Sequence, residues 1–97
     1  MLKHVVIWNL KDPSRKALHI AAIRGALEGL RGRIPGLLAI EVGADIGSDA
    51  NARDVVLYSE FADRGALDVY QQHPLHVVVK DVVGPLVTDR SVVDWEA

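Results

Sequence analysis

The chain opens on a clean alternation. Between Lys3 and Leu10, Val5 and Ile7 fall on one side of an extended backbone, and His4, Val6, Trp8 and Leu10 on the other. This Val-, Ile- and Trp-rich run predicts a strand, closed by the turn residues Lys11-Asp12-Pro13-Ser14. The period then lengthens. Leu18, Ile20, Ile23, Ala26, Leu27 and Leu30 recur at three-and-four spacing, the mark of one buried helical face over residues 14–31. Gly32 and Pro35-Gly36 end that helix. Gly25 inside it costs about 1 kcal/mol relative to alanine, so a packing reason for it is expected. Strands follow over residues 37–42 and 53–61, joined by a Gly-, Asp-, Ser- and Asn-rich loop. Asp63 is placed to cap a second helix running to about residue 72. Pro74 suits the first turn of a continuation through about residue 83, where Gly84-Pro85 stops it. Residues 91–95 read as a closing strand, and no internal repeat or low-complexity segment interrupts the series.

The order β-α-β-β-α-β is the ferredoxin-like plan, an α+β fold. It predicts a four-stranded antiparallel sheet with two helices on one face. The other face is less simple. In the third strand Val55, Leu57, Ser59 and Phe61 alternate with Asp54, Val56, Tyr58 and Glu60, so both faces of the first and third strands carry large apolar groups. A sheet with one face in water would alternate more cleanly, and an apolar patch of that size is unusual on a monomer. A second copy packed about a two-fold axis is the simplest cover. The expectation is a homodimer whose two sheets close into an α+β barrel.

Composition narrows the class. The 97 residues suit one domain spanning 1–97, with 49% hydrophobic and 25% charged residues as in ordinary soluble proteins. Eleven basic against thirteen acidic residues give a net charge of −2 and no electrostatic reason to expect a nucleic acid partner. The absence of cysteine excludes disulfides and thiolate catalysis, and fits a cytoplasmic chain. No run approaches the roughly 20 apolar residues that span a bilayer, so no membrane partner is expected. The N-terminus reads as a strand rather than a signal peptide.

The chemistry concentrates in Tyr70-Gln71-Gln72-His73-Pro74-Leu75-His76. Imidazole titrates near neutrality and a phenol can donate a proton, so Tyr70 and His76 are candidates for general acid–base catalysis. On a straight helix six residues turn the chain by about 240° beyond one full revolution, and the two side chains would diverge. Pro74 lacks an N–H and biases His73 away from helical dihedrals, so a break there can re-aim them to one pocket. His73 itself reads as a cap or a solvent-facing residue, and His19 as structural or exposed. His4 shares a strand face with Val6 and Trp8, as a ligand contact or a polar edge. No His-Glu-x-x-His, calcium-loop, phosphate-loop or Ser-His-Asp pattern is present. No metal and no cofactor are expected.

Several segments together resemble the stress-responsive A/B barrel (Dabb) family over essentially the whole chain. They are Lys3-His4-Val5-Val6, Ile34-Pro35-Gly36-Leu37, Glu41-Val42-Gly43, the Tyr70–His76 segment, Asp81-Val82-Val83 and Val92-Val93-Asp94-Trp95. The Tyr-x-x-His-Pro-x-His motif is the most specific of them. The resemblance implies a dimeric ferredoxin-like barrel with a poorly defined role; plant members are associated with stress response. One plant member cyclises a linear polyketide thioester product without metal or organic cofactor. Its catalytic Tyr and His match Tyr70 and His76, a pocket His matches His4, and a pocket aliphatic position matches Val6. A further pocket His on its third strand falls at about Val55, where this chain departs from the pattern.

The main reading is a small, partly apolar, oxygenated ligand bound in the barrel and lined by His4, Val6, Trp8, Leu57 and Val87. His76 would serve as base, and Tyr70 would hold it or donate to a developing oxyanion, in a cyclisation, isomerisation or elimination. One alternative is a non-catalytic binding or stress-related homodimer. Another is a cofactor-independent monooxygenase of the same fold, against which the His-Pro-x-His segment argues.

Overall fold

The structure is a computed structural model and describes residues 1–97. Strand β1 (Leu2–Leu10) leads through a 3-10 turn at Pro13–Arg15 into helix α1 (Lys16–Glu28). Strands β2 (Leu37–Ala44) and β3 (Val55–Phe61) follow, then helices α2 (Arg64–Gln72) and α3 (Pro74–Val83), and strand β4 (Val87–Glu96). The sheet order is β2-β3-β1-β4 with every neighbouring pair antiparallel, the ferredoxin-like arrangement. β1 is therefore central, and register sets His4 between Ser59 and Asp94, and Val6 between Leu57 and Val92.

The core sits between the helices and one sheet face. Leu2, Val6, Trp8 and Leu10 of β1, with Val55, Leu57 and Phe61 of β3, are buried against Ile20, Ile23 and Leu27 of α1. Leu67 and Tyr70 of α2 and Val79 and Val83 of α3 complete it. At the turn into β2, Gly36 has a φ of 81°, and a Cβ there would meet the Ala66 Cβ at 2.5 Å. Only glycine fits both the left-handed backbone and the approach of α2. The opposite sheet face carries Val5, Ile7, Val56, Tyr58, Val93 and Trp95, with Val93 61% exposed and Trp95 41% exposed.

Three expectations are corrected. The last strand begins at Val87 rather than residue 91. The polar Thr88-Asp89-Arg90 run masks its start, because an irregularity there breaks the alternation. Leu18 does not share the buried helical face; it is 61% exposed. Gly25 has no packing role, since a Cβ at that position would meet nothing within 4 Å. Gly25→Ala should therefore stabilise the fold by up to about 1 kcal/mol, the helix-propensity difference. Thermal unfolding should show this as a rise of roughly 4–8 °C for a chain this size.

Candidate functional site

Alternation along β1 aims His4, Val6 and Trp8 at the helices, and Leu57 of β3 and Val87 of β4 join them. Together they form the sheet-side wall of a cavity of about 600 Å³. Leu27, Val79 and Val83 close it from the helices, and Tyr70 and His76 stand on its wall. All seven residues singled out from the sequence thus border one space. That space lies on the helix-covered face of the sheet, within one protomer, and not on the open face that a second sheet would cover. The reason is parity: even positions of β1 and odd positions of β3 share the buried side, so a ligand contacting them cannot lie between two sheets. Val55, also buried, does not line the cavity.

The helix break brings the aromatic pair together. α2 ends at Gln72, His73 takes extended dihedrals (φ −65°, ψ 136°), and α3 restarts with Pro74 in its first turn. The ring of His73 caps that restart: its Nδ1 accepts the Leu75 N–H at 3.1 Å. Beyond the break, the rings of His76 and Tyr70 lie with centroids 4.1 Å apart and planes tilted by 37°. Phe61 meets Tyr70 edge-on at 4.9 Å, and His4 meets Phe61 at 6.3 Å. Four rings therefore run from β1 to α3.

Their protonation follows from their surroundings. Tyr70 is 1% exposed, its hydroxyl has no hydrogen-bond partner, and burial pushes its pKa up to about 12. Tyr70 keeps its proton at any physiological pH. Burial pushes the pKa of His76 down, opposed by the backbone carbonyl of Gln71 and reinforced by the charges of Lys80, His4 and Arg90. The Gln71 carbonyl, 3.4 Å from His76 Nδ1, can only accept, so Nδ1 carries the proton in the neutral ring. The lone pair of His76 is then on Nε2.

Asp94 was not foreseen. Its carboxylate accepts a hydrogen bond from Nδ1 of the buried His4, which orients that ring. The only signal was register, because Asp94 and His4 are cross-strand partners 90 residues apart. The mouth residues Gln71, Lys80, Thr88, Asp89 and Arg90 were also missed. His19 on α1 is half-buried, with an unpartnered Nδ1. No three His, Asp or Glu side chains gather as metal ligands, and no helix is long and apolar enough to cross a membrane.

The family model for the stress-responsive A/B barrel domain matches residues 2–97. The chain belongs to the Dabb family. This Dabb chain is similar in structure to a dimeric ferredoxin-like protein of unknown function from Bacteroides fragilis (TM-score 0.86, 28% identity, 99% of this chain and 95% of that one). A dimeric ferredoxin-like protein of unknown function from Thermobifida fusca is also similar (TM-score 0.80, 25% identity, 99% of this chain and 90% of that one). An antibiotic biosynthesis monooxygenase shares the fold (TM-score 0.77, 22% identity, 100% of this chain and 98% of that one). At that identity the likeness is one of fold alone. No curated protein matches the sequence.

The lowered pKa of His76 couples the Dabb fold to pH. Between the unfolded value of about 6.5 and its lower folded value, the unfolded chain binds more protons at this position than the folded one. The contribution of His76 to stability is complete above about pH 6.5 and is lost as pH falls through that window. Denaturant titrations from pH 7.5 to 5 should show a shallower acid loss for His76→Gln than for wild type.

Proposed function

We propose that this Dabb protein binds a small, partly apolar, oxygenated ligand in the cavity within each protomer and performs cofactor-free acid–base chemistry on it. His76 is the base. Its Nε2 removes a proton from carbon alpha to a carbonyl, the C–H electron pair passes into the carbonyl, and the oxygen becomes an enolate. Tyr70 donates a hydrogen bond to that oxygen. The observation that carries this reading is the Tyr70 hydroxyl, buried and unpartnered beside a neutral imidazole on a cavity wall. An unsatisfied buried hydroxyl costs about 1–3 kcal/mol. A ligand oxygen that accepts from it recovers that energy, and a negatively charged oxygen recovers more. Because the hydroxyl has almost no accessible surface, a neighbouring side chain must shift before a ligand can reach it. Tyr70 does not hold His76 by a hydrogen bond; the two rings are in contact only.

The reaction class is testable without the natural substrate. Exchange of the alpha protons of butyrophenone in D2O, followed by NMR, should run faster with wild-type protein than in matched buffer. Tyr70→Phe should lower that acceleration by about 100-fold, as loss of an oxyanion donor does. The same variant should keep or gain stability, because it deletes an unpartnered buried group. His76→Ala should abolish the exchange. Exchange at the buffer rate with wild type would remove the base role. A Tyr70→Phe variant of unchanged rate would remove the donor.

We further propose that a second copy covers the open sheet face, closing the two sheets into a barrel. The apolar Val5, Ile7, Val56, Val93 and Trp95 on that face support it, as does the dimeric state of the Bacteroides and Thermobifida proteins. Sedimentation should give twice the chain mass, and Val93→Lys should halve it while leaving the cavity of each protomer in place. A wild-type monomer would contradict this.

A further inference from the structure

The cavity mouth carries charge that the acid–base reading leaves unused. Lys80 of α3 and Arg90 of β4 both line it, both are exposed, and neither is in an ion pair. Arg90 reaches the mouth through a local backbone device. β4 pairs Ser91 with Ile7 and Thr88 with Asn9, so Asp89 and Arg90 together stand opposite the single Trp8. This is a β-bulge, and Asp89 within it has a φ of 55°. Val87 and Arg90, three apart, would face opposite sides of a regular strand. The extra residue lets both border the same cavity. A left-handed backbone is uncommon for a non-glycine residue, and such conformations concentrate where a side chain must be aimed.

We propose that Lys80 and Arg90 form a carboxylate-binding rim. The ligand is then an amphiphilic monoanion, with its apolar body against Val6, Trp8, Leu57 and Val83. This rests on the reading of the cavity as a ligand site. The guanidinium of Arg90 presents the donor fork that fits a carboxylate, and Lys80 adds a point charge. Asp89 borders the same mouth, so two cations and one carboxylate leave a rim charge of +1. That charge matches a single negative head group better than a dianion. A cavity of about 600 Å³ lies within the range that encloses a ligand of this kind.

The test is calorimetric titration of the protein with decanoate, decanamide and decyl phosphate. Decanoate should bind at least about tenfold more tightly than decanamide, the factor expected of a hydrogen bond to a charged group. Lys80→Gln and Arg90→Gln, both at exposed positions, should each weaken decanoate several-fold and leave decanamide unchanged. Equal affinity for decanoate and decanamide would overturn the rim while leaving the cavity as a ligand site. Tighter binding of decyl phosphate than of decanoate would overturn the monoanion assignment. Failure of all three probes to bind would remove the cavity reading, and the rim with it.

Discussion

A missing hydrogen-bond donor organises this molecule. Pro74 has no N–H to offer the preceding turn, and its ring keeps His73 out of helical dihedrals. A helix that would otherwise run from Arg64 to Val83 becomes two, and the angle between them turns His76 back over Tyr70. The break is stabilised locally. The His73 ring accepts the Leu75 N–H, replacing one of the partners that a helix start lacks. His73, read from the sequence as a cap or a solvent-facing residue, is thus the cap that holds Tyr70 and His76 in place.

The cavity gathers groups whose environments drive their proton affinities apart. Burial raises Tyr70 and lowers His76, so one remains a donor and the other is a neutral base at the same pH. Such divergence is what acid–base division of labour requires. The unpartnered hydroxyl of Tyr70 also opposes stability, a cost the fold carries in a site where a hydrophobic residue would pack as well. On the facing wall the Asp94 carboxylate orients His4 through Nδ1, leaving that ring's Nε2 free of protein partners. Each imidazole thus engages a protein partner through Nδ1 and leaves Nε2 without one.

Much of the fold was legible because its signals are local and periodic. The alternation of β1 and β3, the helical spacing of Ile20, Ile23 and Leu27, and the Pro-Gly turn before β2 are read within a few residues of each position. The parity of β1 also specified which side chains would meet. The unread features depend on register and backbone irregularity. Asp94 reaches His4 only when two strands distant in sequence are aligned. Arg90 and Asp89 hid the start of β4 because a bulge has no period. The ligand space expected in a dimeric barrel lies instead under the helices, where the parity of Val6 and Leu57 puts it. Leu18 and Gly25 show the limit of periodicity: spacing locates a face but not its edges.

The proposed chemistry requires a neutral His76 with its proton on Nδ1 and its lone pair on Nε2. Long-range ¹⁵N–¹H NMR correlation of the histidine rings at pH 7 measures this directly. His76 should be the Nδ1–H tautomer, bonded to the Gln71 carbonyl, with a pyridine-like Nε2 shift. An Nε2–H tautomer, or a ring already protonated at pH 7, would contradict it.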